Sequence, residues 1–293
     1  MDLENADLFQ AGWAPSLSRA DHCARRRFAT LVDAEEFDLG EAALLLGAEE
    51  RDEEVVDVGL ARLDAMADEV RPRVQEGRTA LERLETLIEF LFVDCSFRGN
   101  EDDYYDPRNS YLDEVLERRT GIPISLGAMV KEVARRVGVP LQGVSFPAHF
   151  LLRHSRLPGV YVDPFHPGRL LSIPDCKALL ERATRGRVPF RRELLKPADN
   201  RQILVRMLAN LRSIHTSRND VMRTLAALDR ILLLVPGSAA ALRERGQLLV
   251  EAGAVKQGID DLETYLALAR QGADWLEVKR QVDQARRSVR SLN

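Results

Sequence analysis

The sequence predicts an α+β domain, helices first and an antiparallel sheet after them, followed by an all-α domain of helical repeats. Three observations carry this. Apolar residues recur at helical spacing from residue 41 to residue 137. Between Val144 and Ile173 they become short, near-continuous, partly aromatic runs, as strands do. Beyond residue 198 the helical pattern returns and repeats itself every 34 residues. A chain of 293 residues is long enough for two such domains.

The elements follow in order. Residues 1–34 read as a polar lead-in, and 41–48 as a short apolar helix. An acidic helix from about Asp52 to Val74 buries Val56, Leu60, Leu63, Ala67 and Val70. A helix over 79–93 turns Leu81, Leu84, Ile88 and Leu91 inward. The segment Phe97–Pro107 breaks the period and is a polar loop with aromatic anchors. Helices then cover Ser110–Arg119, stopping at Gly121-Ile122-Pro123, and Ser125–Val137, with Leu126, Met129, Val130, Val133 and Val137 inward. Gly138-Val139-Pro140 ends the second of them. Strands are expected over Val144–Arg153, Gly159–Asp163 and Arg169–Ile173, adjacent and turn-linked, hence antiparallel. The core domain so defined spans 35–185.

The helical domain spans 198–293. A shift of 34 residues sets Leu225 on Ile259, Leu228 on Leu262, Ile231 on Tyr265, Leu232 on Leu266 and Leu234 on Leu268. Leu228, Leu232, Leu262 and Leu266 are expected between the helix pairs. This period, with Gly246, Gly253 and Pro236 at small-residue and closing positions, resembles the tetratricopeptide repeat. Arg212 and Thr224 stand where small residues are usual, so the copies are degenerate. Two copies and a terminal helix, Trp275–Leu292, make a short stack that leans on the first domain.

The composition, 45% hydrophobic and 30% charged with 18 Gly and 13 Pro, excludes collagen, a long disordered chain and a disulfide scaffold. No apolar stretch reaches the ~18 residues of a membrane span, and the acidic N-terminus lacks a signal-peptide pattern. Cys23, Cys95 and Cys176 fit neither a disulfide framework nor a zinc knuckle, and a cytoplasmic protein is expected. Residues 181–293 carry 21 Lys+Arg against 13 Asp+Glu, leaving 21 against 33 in residues 1–180. No basic run has the density or aromatic interleaving of a nucleic-acid surface. A solvated basic domain beside an acidic one is the plain reading.

One constellation can carry chemistry: Ser125 at a helix start, His149 in a strand, Asp163 at the end of the next strand. A nucleophile at a helix N-terminus gains from the helix dipole. A histidine could take its proton and an aspartate could orient that histidine. The alternative reading of Ser125 is a helix N-cap, and of His149 a satisfied core histidine.

Asn109-Ser110-Tyr111-Leu112, Arg119-Thr120-Gly121-Ile122-Pro123-Ile124-Ser125-Leu126, Phe146-Pro147-Ala148-His149-Phe150-Leu151-Leu152-Arg153 and Val162-Asp163-Pro164-Phe165 occur in that order. Together they resemble the transglutaminase-like core of the bacterial SirB-type family, over roughly residues 35–180; related cores occur in certain F-box proteins. The resemblance implies a papain-like α+β fold whose active relatives use a Cys–His–Asp triad. His149 and Asp163 fall at the histidine and aspartate. The cysteine is missing, and its place falls around Pro123–Ser125.

The other candidates are weaker. Cys95 ends an apolar helix, and Cys176 reads as packing. His154 and His166 read as exposed turn residues, and no spacing suggests a metal site or another cofactor. Glu101-Asp102-Asp103 lacks the ladder of a calcium loop. Tyr104, Tyr105 and Asn109 read as loop anchors. The function expected is a non-catalytic transglutaminase-like protein with a degenerate triad, binding a protein or peptide through its cleft and repeats. The alternatives are a hydrolase or acyl-transferase using Ser125, His149 and Asp163, and an adaptor in which only the repeat surface matters.

Overall fold

The computed structural model describes residues 19–48, 51–52, 54–77, 79–270 and 272–292. Residues 1–18 of the expected lead-in lie outside the described residues. The rest of that lead-in contains a helix. Arg19–Asp33 forms helix α1, whose Ala24, Phe28 and Val32, four residues apart, are buried.

Helices α2 (Leu39–Ala48), α3 (Glu54–Glu76) and α4 (Ala80–Glu89) follow. Helix α4 starts on a reciprocal cap in which the Thr79 hydroxyl takes the Glu82 N–H and the Glu82 carboxylate takes the Thr79 N–H. It ends in a wider turn over Phe90–Asp94. Leu84, Leu87 and Ile88 of α4 and Phe90, Leu91 and Phe92 of the turn are buried, and Leu81, expected inward, is 39% exposed.

Strand β1 (Arg98–Gly99) lies parallel to β2 (Thr120–Gly121), a pairing the sequence reading lacked. Between them runs α5 (Leu112–Arg118). Helix α6 (Pro123–Arg136) begins two residues before the expected Ser125, with proline as its first residue, where a missing N–H costs nothing.

The expected strand over Val144–Arg153 is in fact two strands and a turn. β3 (Leu141–Val144) and β4 (Leu151–His154) pair antiparallel across residues 145–150. β5 (Tyr161–Asp163) and β6 (Arg169–Leu171) complete a four-stranded antiparallel sheet in chain order. Phe150, Leu152 and Val162 face the main core, and Val144, Leu151, Tyr161 and Leu171 pack with Cys176, Leu179 and Leu180 of α7 (Ile173–Thr184). Burial on both faces explains why these strands read as nearly continuous apolar runs rather than alternating ones.

Helices α8 (Asn200–Ser217), α9 (Val221–Leu234), α10 (Ala239–Glu251), α11 (Val255–Leu268) and α12 (Trp275–Leu292) form the C-terminal stack. Leu228, Leu232 and Leu262 are buried as expected; Leu266 is only partly covered, while its neighbour Tyr265 is buried like Ile231, the residue it aligns with. Among the described residues no helix is long and apolar enough to cross a membrane.

Candidate functional site

His149 does not sit within a strand. It closes a turn in which its N–H bonds the Phe146 carbonyl at 3.1 Å, with Pro147 and Ala148 at the corner. Ala148 has φ of 56°, the left-handed region. The turn drops His149 one residue ahead of Phe150 and β4, and Asp163 ends the neighbouring β5.

The two side chains meet there: His149 Nε2 lies 2.8 Å from Asp163 Oδ1. A second histidine joins them, His166 Nδ1 lying 2.8 Å from Asp163 Oδ2. The Phe165 N–H also donates to Oδ1, at 3.0 Å. Burial alone would push the Asp163 carboxyl up. The hydrogen bond and charge of His149, the His166 bond and the Phe165 N–H outweigh it and hold the group down at about 2. An ionised carboxylate only accepts, so both imidazoles donate to it, which leaves His149 Nδ1 and His166 Nε2 as the other ring nitrogens.

Aromatic rings frame the pair. Phe165 meets His149 edge-on at 6.2 Å between centroids, His166 stacks on His149 at 6.0 Å, and Tyr104 meets Phe165 edge-on at 6.0 Å. Phe165 is held close by the Gly99 N–H, which donates to its carbonyl at 3.2 Å. A side chain at Gly99 would meet the Phe165 ring at 2.5 Å, so glycine in β1 is what lets the loop approach. The Arg206 guanidinium on α8 donates to the His149 carbonyl at 2.5 Å. Asp163 and His166 also line a cleft with Arg169, Asp175, Leu179 and Arg182.

Ser125 is elsewhere in its bonding. It is wholly buried, and it is the third residue of α6 rather than its cap. Its Oγ accepts the Ile122 N–H at 3.1 Å and lies 2.5 Å from the Asn109 carbonyl and 3.1 Å from the Ile122 carbonyl. A hydroxyl has one proton to give, and the shorter contact with Asn109 takes it. Among the described residues Ser125 Oγ has no hydrogen bond to His149. Asn109, itself buried, ties the acidic loop down by donating to the Asp103 carbonyl at 2.7 Å.

The cysteines are unpaired. Burial pushes Cys176 up to about 12 and raises Cys95 as well, so neither is a ready thiolate. His154 is buried at the end of β4, not in an exposed turn, and its Nδ1 takes the Arg156 N–H. His166, half exposed, is the member of the site that sequence reasoning set aside. Its signal was its place three residues after Asp163, the reach of one turn. Arg206 gave none, since only the fold brings α8 to the turn before β4.

A buried carboxylate holding two imidazoles can fix tautomers, donate hydrogen bonds and hold protons; it has no nucleophile of its own. Residues 58–209 match the transglutaminase-like superfamily. Residues 211–283 match a tetratricopeptide repeat. The chain belongs to the transglutaminase-like superfamily, with a tetratricopeptide region after the core. More particularly, it is 39% identical over 241 residues to a UPF0162 protein of Xylella fastidiosa, covering 81% of this chain and 86% of that one. A UPF0162 protein of Pseudomonas aeruginosa is 32% identical over 79% of this chain and 84% of its own length. The mouse F-box only protein 21 is 35% identical over 140 residues, 45% of this chain and 21% of that protein.

Proposed function

We propose that this chain is a non-catalytic member of the transglutaminase-like superfamily, of the SirB type, that binds a protein or peptide partner through its cleft and its helical repeats. The observation that carries this reading is the commitment of Ser125: wholly buried, its hydroxyl serves the start of α6 and the Asn109 carbonyl. A serine acts as a nucleophile only through an aligned base, and its bonds run to the backbone. The tetratricopeptide match supports a protein partner, since such stacks present extended binding surfaces. Three unpaired cysteines fit work in a reducing cytoplasm.

The alternative, a hydrolase or acyl-transferase using Ser125, His149 and Asp163, is favoured by the retained His149–Asp163 bond. One experiment separates them. The purified chain is screened against peptide and ester substrates and probed with a serine-reactive fluorophosphonate. No turnover and no labelling of Ser125 is expected. Labelling that disappears in both Ser125→Ala and His149→Ala would make the protein an enzyme. Binding is measured with a fluorescent peptide array. The expected result is saturable binding weakened by Arg206→Ala, and an array without any saturable ligand counts against the cleft as a binding site.

A further inference from the structure

In the His149–Asp163–His166 cluster two imidazoles are stacked with an interplanar angle of 29°, each aiming a nitrogen at a different oxygen of one carboxylate. One donor atom from each of the three residues lies within 4.8 Å of the other two. Two imidazole nitrogens and a carboxylate oxygen are the donor set that first-row transition ions take, with Zn²⁺ distances of about 2.0–2.2 Å.

We propose that His149 Nε2, a carboxylate oxygen of Asp163 and His166 Nδ1 form a site for a divalent transition-metal ion, Zn²⁺ in the case to be tested. The ion takes the place of the two protons now shared with Asp163: each imidazole binds through the nitrogen that faces the carboxylate and carries its proton on the other. His149 and Asp163 are buried and fixed by the turn and by β5, while the half-exposed His166 ring supplies the movement needed to close the donors to ligand spacing. Two contacts hold the carboxylate and the turn in place. The Phe165 N–H fixes the carboxylate, and the Arg206 bond to the His149 carbonyl fixes the turn. The cleft beside Asp163 and His166 gives an entry path and room for water at the remaining positions. This inference is independent of whether the cleft binds a peptide.

The test uses the untagged full chain, stripped with chelator and titrated with Zn²⁺ by calorimetry and with Co²⁺ by visible absorption. One equivalent of each ion is expected to bind, without a thiolate charge-transfer band. His166→Ala, a change at a half-exposed side chain whose fold is checked by circular dichroism, is expected to weaken binding by about tenfold or more. Cys23→Ser and Cys95→Ser leave it unchanged. Absence of saturable uptake by the unaltered chain, uptake that His166→Ala does not weaken, or uptake lost with either cysteine would overturn the proposal.

Discussion

Asp163 accepts from the His149 and His166 rings and from the Phe165 N–H at once, so its charge is bound into the native state in a way the unfolded chain cannot reproduce. The folded carboxyl ionises at about 2 against an ordinary 3.8, so between those values the unfolded chain binds the extra proton. Its stabilisation is therefore complete above pH ~5 and is lost progressively as the pH falls through 2. The contribution is about 2 kcal/mol, from a shift of nearly two pKa steps. Asp163→Asn should flatten that part of the profile; urea unfolding of both forms between pH 5 and 2 measures it, and parallel profiles would refute the assignment. A second prediction sits at the residue before His149. Ala148 holds φ of 56° at a turn corner where glycine is at ease. Ala148→Gly should stabilise the fold by about 1 kcal/mol, because left-handed backbone costs an L-residue ~1–2 kcal/mol. A lower melting temperature for the variant would contradict it.

The same reasoning at the scale of elements turns on how closely they pack. Helices α10 and α11 touch through glycine: a Cβ on Gly258 would stand 2.6 Å from the Gly246 carbonyl oxygen, and one on Gly246 would stand 2.9 Å from the Gly258 oxygen. Backbone cannot yield as a side-chain tip can. Gly258→Ala is expected to cost about 1–3 kcal/mol by overpacking, despite alanine's better helix propensity. Chemical denaturation reads that loss, and a gain would show that the helices separate freely. Gly246 was legible in the sequence through its repeat position, and the helical stripes of α3 and α6 were legible through their 3.6-residue period. What escaped has physical reasons. Leu81 and Leu87 are both apolar on one short helix, and only the neighbouring helices decide which is covered. The Phe146–His149 turn sits inside an apolar run in which Pro147 is the one break, and alanine rather than glycine takes its left-handed position. Ser125 stands three residues into α6 because Pro123 opens the helix, which makes its hydroxyl a partner of the Ile122 N–H instead of an exposed nucleophile. Residue type alone could not separate those roles. His149 and Asp163 were readable from their place in the motif order, and His166 from its place three residues past Asp163; Arg206 comes to them only through a distant helix.

Across the whole molecule, the change from core to repeats near residue 198 does not divide the hydrophobic core. One buried cluster runs from Ala24 and Phe28 of α1, through Leu126 and Val130 of α6, to Ile203, Leu204, Met207 and Leu208 of α8 and on to Val282 of α12. Helix α8 is the joint: its Arg201 donates to the Val32 and Leu234 carbonyls, Asn200 to the Phe37 carbonyl, and Arg206 to the His149 carbonyl. Tyr111 of the core meets His215 of α8 at 3.3 Å, both buried. These links join cations and amides to backbone carbonyls, and the area beneath them is apolar. The acidic and basic halves are therefore held by burial more than by charge attraction, which salt would screen. The consequence is a prediction about cooperativity. Heat and urea should unfold the full chain in one transition, at low and at high salt, with Trp275 fluorescence in the stack, read in a Trp13→Phe variant, and near-ultraviolet dichroism of the core changing together. A fragment ending at residue 197 should expose the face that Ile203, Leu204, Met207 and Leu208 cover, and should bind a hydrophobic dye or aggregate. Two separated transitions, or a fragment that stays monomeric with its near-ultraviolet spectrum intact, would mean that the core ends where the helical repeats begin.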